Sequence, residues 1–238
     1  MWQTGSGAQS NMNVNEVIAA VATPPARAWG FVPLTIDAHD DVNRGQSSSD
    51  VFPSAMHVAV SLRAKFSLLP ALQQLRDQLA AKALAFASVV KVGRTHLQDA
   101  TPVTLGQEFG GYEAQLALCD DSLRHALRAV HRLALGGTAV GTGMNTHPEF
   151  GRRVAALLAQ RLDLPLQQAD NLFAAMAGHE ALVAFHGALR MLAIALIKIG
   201  GDIRLMGSGP RAGLGELRLP ANEPGSSIMP GKVNPTQV

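Results

Sequence analysis

The sequence predicts a mainly α fold, a bundle of long helices, and three observations carry that prediction. Of its 238 residues, 47% are apolar but only 5% aromatic. The apolar mass is Ala, Leu and Val, which suits close helix packing better than a β-sandwich. Apolar residues recur at helical spacing over several long stretches. Between them stand connectors rich in Gly, Ser, Asn and Pro, the residues that punctuate helices.

Taken in order, residues 1–50 read as loops around one short helix near 12–22, and 23–38, with its prolines, follows no clear period. From Val51 the helical period sets in. It runs through 51–69 and again through 70–90, with Pro70 at a natural first helical position and a break or kink expected there. Residues 91–102 read as a polar connector, 104–135 as a long helix and 136–150 as a Gly-rich turn. A shorter helix opens at Pro148. Residues 170–207 read as a second long helix, apolar on more than one face and therefore suited to burial among other helices. The last stretch returns to Gly, Pro, Ser and Asn.

Composition excludes several functions. The formal charge is +2 and no basic run is present, which argues against nucleic acid as a partner. The lone Cys119 rules out an internal disulfide and fits a reducing compartment. The polar, Gly-rich start is no signal peptide. The apolar run at 191–197 is followed by Lys198 and is too short to span a membrane. The eight histidines show no HExxH and no pairing with Cys, so no metal site is expected. GTAVGTG lacks the GK[ST] ending and follows no strand, so it is neither a P-loop nor a dinucleotide fingerprint. No GxSxG elbow is present.

Function is expected in the polar connectors. TGSGAQSNMN (4–13), DDVNRGQSSSD (40–50), GRTHLQDATP (93–102) and GSSIMPGKVNP (225–235) are rich in hydrogen-bond donors. Together with Arg94 and Lys232 they would suit a small dicarboxylate. Each alone could equally cap a helix, as QSSSD ahead of an apolar run would. Four in one chain favour a site.

These same connectors carry a resemblance to a known family. TGSGAQSNMNVNEV, DDVNRGQSSSDVFPSAMH, KVGRTHLQDATPVTLGQE, LGGTAVGTGMNTHPE and NEPGSSIMPGKVNPTQ are similar to the motifs of the fumarase/aspartase superfamily, and within it of the class II fumarases. Aspartases typically carry Gln where this chain has His96. The resemblance implies a long-helix bundle, incomplete at both ends here. Residues 1–45 would be a remnant of the N-terminal domain and 46–238 part of the bundle.

It also implies reversible hydration of fumarate to L-malate, with no cofactor and no metal. Ser226, on a mobile GSSIMPGK loop, would be the base. His96 would activate or position water. Ser6, Ser47, Ser48, Ser49, Thr95, Lys232 and Asn234 would hold the carboxylates. The implied assembly is a cytoplasmic homotetramer with active sites shared between subunits. Three positions depart from the family pattern: Ala8 stands for a Thr, Ser49 for an Asn, and Asp37 for a His at a secondary anion site. The family motif continues after Val238 with a Glu that pairs with the active-site histidine. The expectation is therefore that this polypeptide alone exposes core surface and folds poorly. Two other readings stay open: an ammonia-releasing superfamily lyase, which His96 opposes, and a non-catalytic remnant, which the three departures favour.

Overall fold

The structure is a computed structural model describing residues 6–29, 35–223 and 225–236, without the side chains of Ala26 and Arg27. Residues 30–34 of the irregular 23–38 stretch lie outside the described residues. The chain forms two compact units, Met1–Ala71 with Leu123–His186, and Leu72–Ser122 with Gly187–Val238. Helices dominate both, as the apolar spacing requires.

In the first unit, α1 spans Ala8–Ala28, longer than the sequence suggests and running through Pro24 and Pro25. A π turn at Ala38–Val42 follows, capped by Asp37. Next comes α2, Ser48–Arg63, opening on Ser47 as N-cap. Of the break or kink expected at Pro70, the break is absent. A second π turn, Ala64–Leu68, leads directly into α3, Leu69–Ala85. Proline lacks a donor and crowds the preceding turn, and a wider π turn takes up that misfit without ending the helix.

Three further elements complete this unit's core. β3 (Arg132–Leu133) pairs in parallel with β4 (Gln167–Gln168), and α5 runs from Phe150 to Leu162. On α5, Val154, Ala155, Leu158, Ala159 and Leu162 share a face at helical spacing, while Arg152, Arg153 and Arg161 interrupt it. That face packs on Leu133, Leu135, Leu164 and Leu166, with Val51, Val58 and Leu62 of α2 beside them. Each fully buried leucine contributes about 1.5–3 kcal/mol. The helix ends at Asp163, whose left-handed φ of 50° stops it. Lys65 Nζ lies 2.6 Å from the Asp163 carboxylate.

The expected single helix over 170–207 is two. α6 covers Leu172–Ala177, with the Asn171 side chain accepting from Ala174 N as N-cap. Gly178 is extended (φ −135°), and α7 begins at Glu180 and ends at Met206. Asn before and Gly after a short apolar run are stop signals that the continuous apolar pattern obscures.

The second unit holds an antiparallel hairpin where a polar connector was expected. β1 is Val90–Thr95 and β2 is Gln98–Thr104. β-branched Val90, Val92, Thr95, Thr101, Val103 and Thr104 favour the pleated conformation. α4, Leu105–Val130, follows directly. Its buried residues Leu105, Phe109, Tyr112, Leu116 and Cys119 alternate three and four apart, the spacing of a helix seam packed on other helices. Phe109 makes edge contacts with Phe86 (5.4 Å) and Tyr112 (5.6 Å). Arg76 on α3 donates to Glu113 (2.9 Å) and Asp120 (3.1 Å) of α4.

α7 meets the expectation of a helix apolar on more than one face. It buries Phe185, Leu192, Ile199 and Met206, yet leaves Ile194 58% and Ile197 74% exposed. It is long and apolar enough to cross a membrane by length and composition, with a mean hydropathy of 1.8 over an 18-residue window that is 22% buried. The interior of a helical bundle demands the same composition.

One buried imidazole makes the first unit sensitive to acid. His57 on α2 is 8% exposed, and its Nδ1 lies 2.8 Å from Val130 O. Burial pushes its pKa below the ordinary imidazole value, outweighing the carbonyl contacts from Val130 and Arg132. Burial moves His131 the same way. A lowered folded pKa means the unfolded chain binds more protons. This contribution to stability is therefore complete above about pH 6.5 and is lost as pH falls from there towards the folded value. The melting temperature is expected to drop between about pH 6.5 and pH 5, before carboxylates titrate. A thermal melt series across that range checks it, and a flat profile would contradict it.

Candidate active site

The sequence-selected residues fall into two groups, one in each unit. In the first unit, the cap of α2 organises the serines. Ser47 Oγ accepts from Ser49 N (3.2 Å), and Ser47 N donates to Asp50 Oδ1 (3.0 Å). This is a reciprocal capping box. Asp50 is fully buried, and its other oxygen accepts from Gly136 N (2.9 Å) and Thr138 N (3.0 Å). One carboxylate thus joins the QSSSD connector to the GGTAVGTG turn.

That turn needs an external hold. Thr138 has φ 53° and Asn145 φ 61°. A β-branched residue there is an outlier, and each such residue costs about 1–3 kcal/mol. Thr138 Oγ1 is also buried without a hydrogen-bond partner. Strain and an unmet polar group together mark a place selected for something other than stability. A polar cavity of about 760 Å³ opens here, lined by Arg44, Gln46, Ser47, Thr138, Met144 and Asn145 among others.

The remaining serines of this unit sit around the same connector. Ser48 Oγ accepts from Asn11 Nδ2 (3.0 Å), and Asn11 and Asn15 both donate to Asn43 Oδ1 (3.3 and 3.0 Å). A polar stripe of α1 therefore fixes the 43–48 segment. Ser49 and Ser6 are exposed, with Ser6 Oγ 3.5 Å from Ala8 N. Between them Gly7 is required: its φ is +78°, and a Cβ would lie 2.2 Å from the Phe52 ring. Asp37 accepts from Asp40 N (2.8 Å) and His39 N (2.7 Å). These bonds hold its carboxyl below the usual carboxylate range. The acidic side chain satisfies the start of the π turn internally.

In the second unit, Thr95 ends β1 and His96 opens the hairpin turn, both exposed. His96 (φ 53°) and Leu97 (φ 62°) form a two-residue turn with both φ positive. Such turns favour Asn-Gly because other residues are strained there. This strain projects His96 at the hairpin tip. A register shift between Val92 and Arg94 places Gly93 where a Cβ would lie 2.6 Å from Thr101 O. One residue before the end of β1, Arg94 Nη2 donates to Glu216 (2.7 Å). The other Glu216 oxygen pairs with Lys91 Nζ at 2.7 Å, bent away from hydrogen-bond geometry.

The 225–236 loop also belongs to this unit. Ser226 is half-buried, Lys232 exposed and Asn234 half-buried. Met229 N donates to Ser226 O, and Lys232 N to Met229 O, each at 3.2 Å. Gly225 approaches Lys232 so closely that a Cβ would lie 1.8 Å from Lys232 O. Thr236 Oγ1 donates to Glu223. The loop is thus pinched at its neck by backbone that only glycine allows. Among the described residues, no hydrogen bond or ion pair joins Thr95 or His96 to Ser226, Lys232 or Asn234.

A family model described as lyase matches residues 1–238. The chain belongs to this lyase family. It is 61% identical over 237 residues to the class II fumarate hydratase of Chromobacterium violaceum, covering 100% of this chain and 51% of that protein. The class II fumarate hydratase of Thermosynechococcus vestitus is 58% identical, with 100% and 51% covered. Among solved structures, class II fumarase from Schistosoma mansoni superposes with a TM-score of 0.94 at 45% identity, covering 99% of this chain and 52% of that one. The chain spans about half the length of the curated relatives it matches.

Sequence reasoning missed three features of the chain. Asp50 was legible in part, since Asp three residues after Ser47 is a capping-box signature. Its bonds to Gly136 and Thr138 were not. The hairpin was visible in the β-branched residues flanking GRTHLQDA. Glu216, the partner of Arg94 and Lys91, carried no local signal at all.

Proposed function

We propose that the chain carries substrate-binding and catalytic segments for the reversible hydration of fumarate to L-malate. The observation that carries this reading is the match over the whole of this chain, and about half of theirs, to class II fumarate hydratases, one of them 61% identical. Residues 1–45 serve as a remnant of an N-terminal domain and 46–238 as part of the helical bundle. The working form is a cytoplasmic homotetramer of the tricarboxylic acid cycle, which covers the apolar outer face of α7. Ser226 takes the proton from the carbon beside a carboxylate. A serine acts so only when its surroundings activate it. The negative charge then moves onto the carboxylate oxygens, where a preorganised cation and donors stabilise it. Lys232, Asn234, Thr95, Ser6, Ser47, Ser48 and Ser49 supply these. As that charge collapses to fumarate, His96 gives a proton to the departing hydroxyl, which leaves as water; in hydration it positions the water and takes its proton while Ser226 returns a proton to the carbon, the task an imidazole suits near neutral pH.

Loss of fumarate absorbance, run beside a size-exclusion profile, tests the reading. Turnover from a tetramer-sized peak would bear the reading out and would set aside the expectation that this polypeptide alone folds poorly. A tetramer-sized species that leaves fumarate untouched would overturn it.

A further inference from the structure

A two-stranded hairpin is marginal by itself in water, and this one has further handicaps. Its turn is strained at His96 and Leu97, Pro102 interrupts the donors of β2, and β2 is exposed from Gln98 to Pro102. Something outside the ladder must hold it. A cluster of four charges, reaching β1 near its base at Lys91 and near the turn at Arg94, supplies that hold. Lys91 and Arg94 on β1 face Glu216 and Glu108: Lys91 Nζ is 2.5 Å from Glu108 and 2.7 Å from Glu216, and Arg94 is 2.7 Å from Glu216. The side chains of Lys91, Glu216 and Arg94 are only 8%, 15% and 19% exposed, so the pairing acts with little solvent screening. Glu216 is itself anchored, because its backbone N and that of Leu217 both donate to Met206 O (2.9 and 3.1 Å). That carbonyl closes the C-terminal end of α7.

We infer that Glu216 is a positioning residue for the His96 hairpin, clamping β1 through Arg94 and Lys91 to the end of α7. Its catalytic meaning rests on the hydratase reading of His96. Removing Glu216 leaves Lys91 paired with Glu108, and Arg94 with only the charge attraction of Asp99 and Glu108. The clamp then opens along β1, and the strained turn loses the frame that holds His96 forward.

Hydrogen exchange on the full chain reads the clamp without any need for turnover. Glu216→Gln keeps the shape and removes the charge. The expected result is exchange about tenfold or more faster for amides of residues 90–104, with the amides of residues 109–120 on α4 unchanged. The His96 imidazole resonance should shift with it. Glu216→Asp, which keeps the charge, should retain most of the protection. Arg94→Gln combined with Glu216→Gln should loosen the hairpin less than the product of the two single effects. Unchanged exchange in Glu216→Gln, loosening spread along α4, or multiplicative single effects would each overturn the inference. Fumarate turnover is measured separately on the unaltered chain. Its absence from a tetramer would remove the hydratase reading while exchange still decides the clamp.

Discussion

Replacing Asp50 by alanine is expected to cost about 3–5 kcal/mol of stability, the cost of three lost backbone hydrogen bonds less the strain that is released. The carboxylate is fully buried and accepts from three backbone N–H groups, those of Ser47, Gly136 and Thr138. Alanine would leave these donors without water or partner, at about 1–3 kcal/mol for each that stays buried. It would also release the strained Thr138 turn, which offsets part of the loss. For a chain of this size each kcal/mol moves the melting temperature by roughly 2–4 °C, so a drop of roughly 6–20 °C is expected. Asp50→Asn should fall between the two, because one acceptor oxygen survives. A thermal melt of the three proteins checks the order. Alanine within about 2 °C of the unaltered protein would show that the bonds are dispensable.

The second large effect is chemical and follows from the hydratase reading. His96→Gln is expected to lower kcat by roughly 10²–10⁴-fold, the usual contribution of a positioned acid or base. KM should move far less, because the carboxylates are held by other side chains. Glutamine tolerates the exposed tip, so melting should stay close to that of the unaltered protein. Steady-state kinetics on the assembled enzyme, with the melt as control, separates the two. Equal kcat in both proteins would remove His96 from the reaction. A KM change alone would recast it as a binding group.

The parts that were legible in advance are those governed by neighbours in sequence. The seam of α4 and the apolar face of α5 follow from residues three and four apart. The cap of α2 follows from Ser47 and Asp50, three apart. Where two local rules compete, the sequence leaves the winner open. Pro70 reads as a break or a kink, and the chain widens into a π turn and continues. Gly178 reads as tolerable inside a long apolar run, yet it separates α6 from α7.

What the sequence by itself determined is a mainly α chain whose polar connectors carry the family's motifs. What only the tertiary structure decided is which groups meet. Asp50 finds Gly136 across 86 positions, and Arg94 finds Glu216 across 122. Periodicity and capping act over a single helical turn, so they are written locally. A buried charge takes whatever partner the packed chain brings to it, and no pattern along the sequence names that partner.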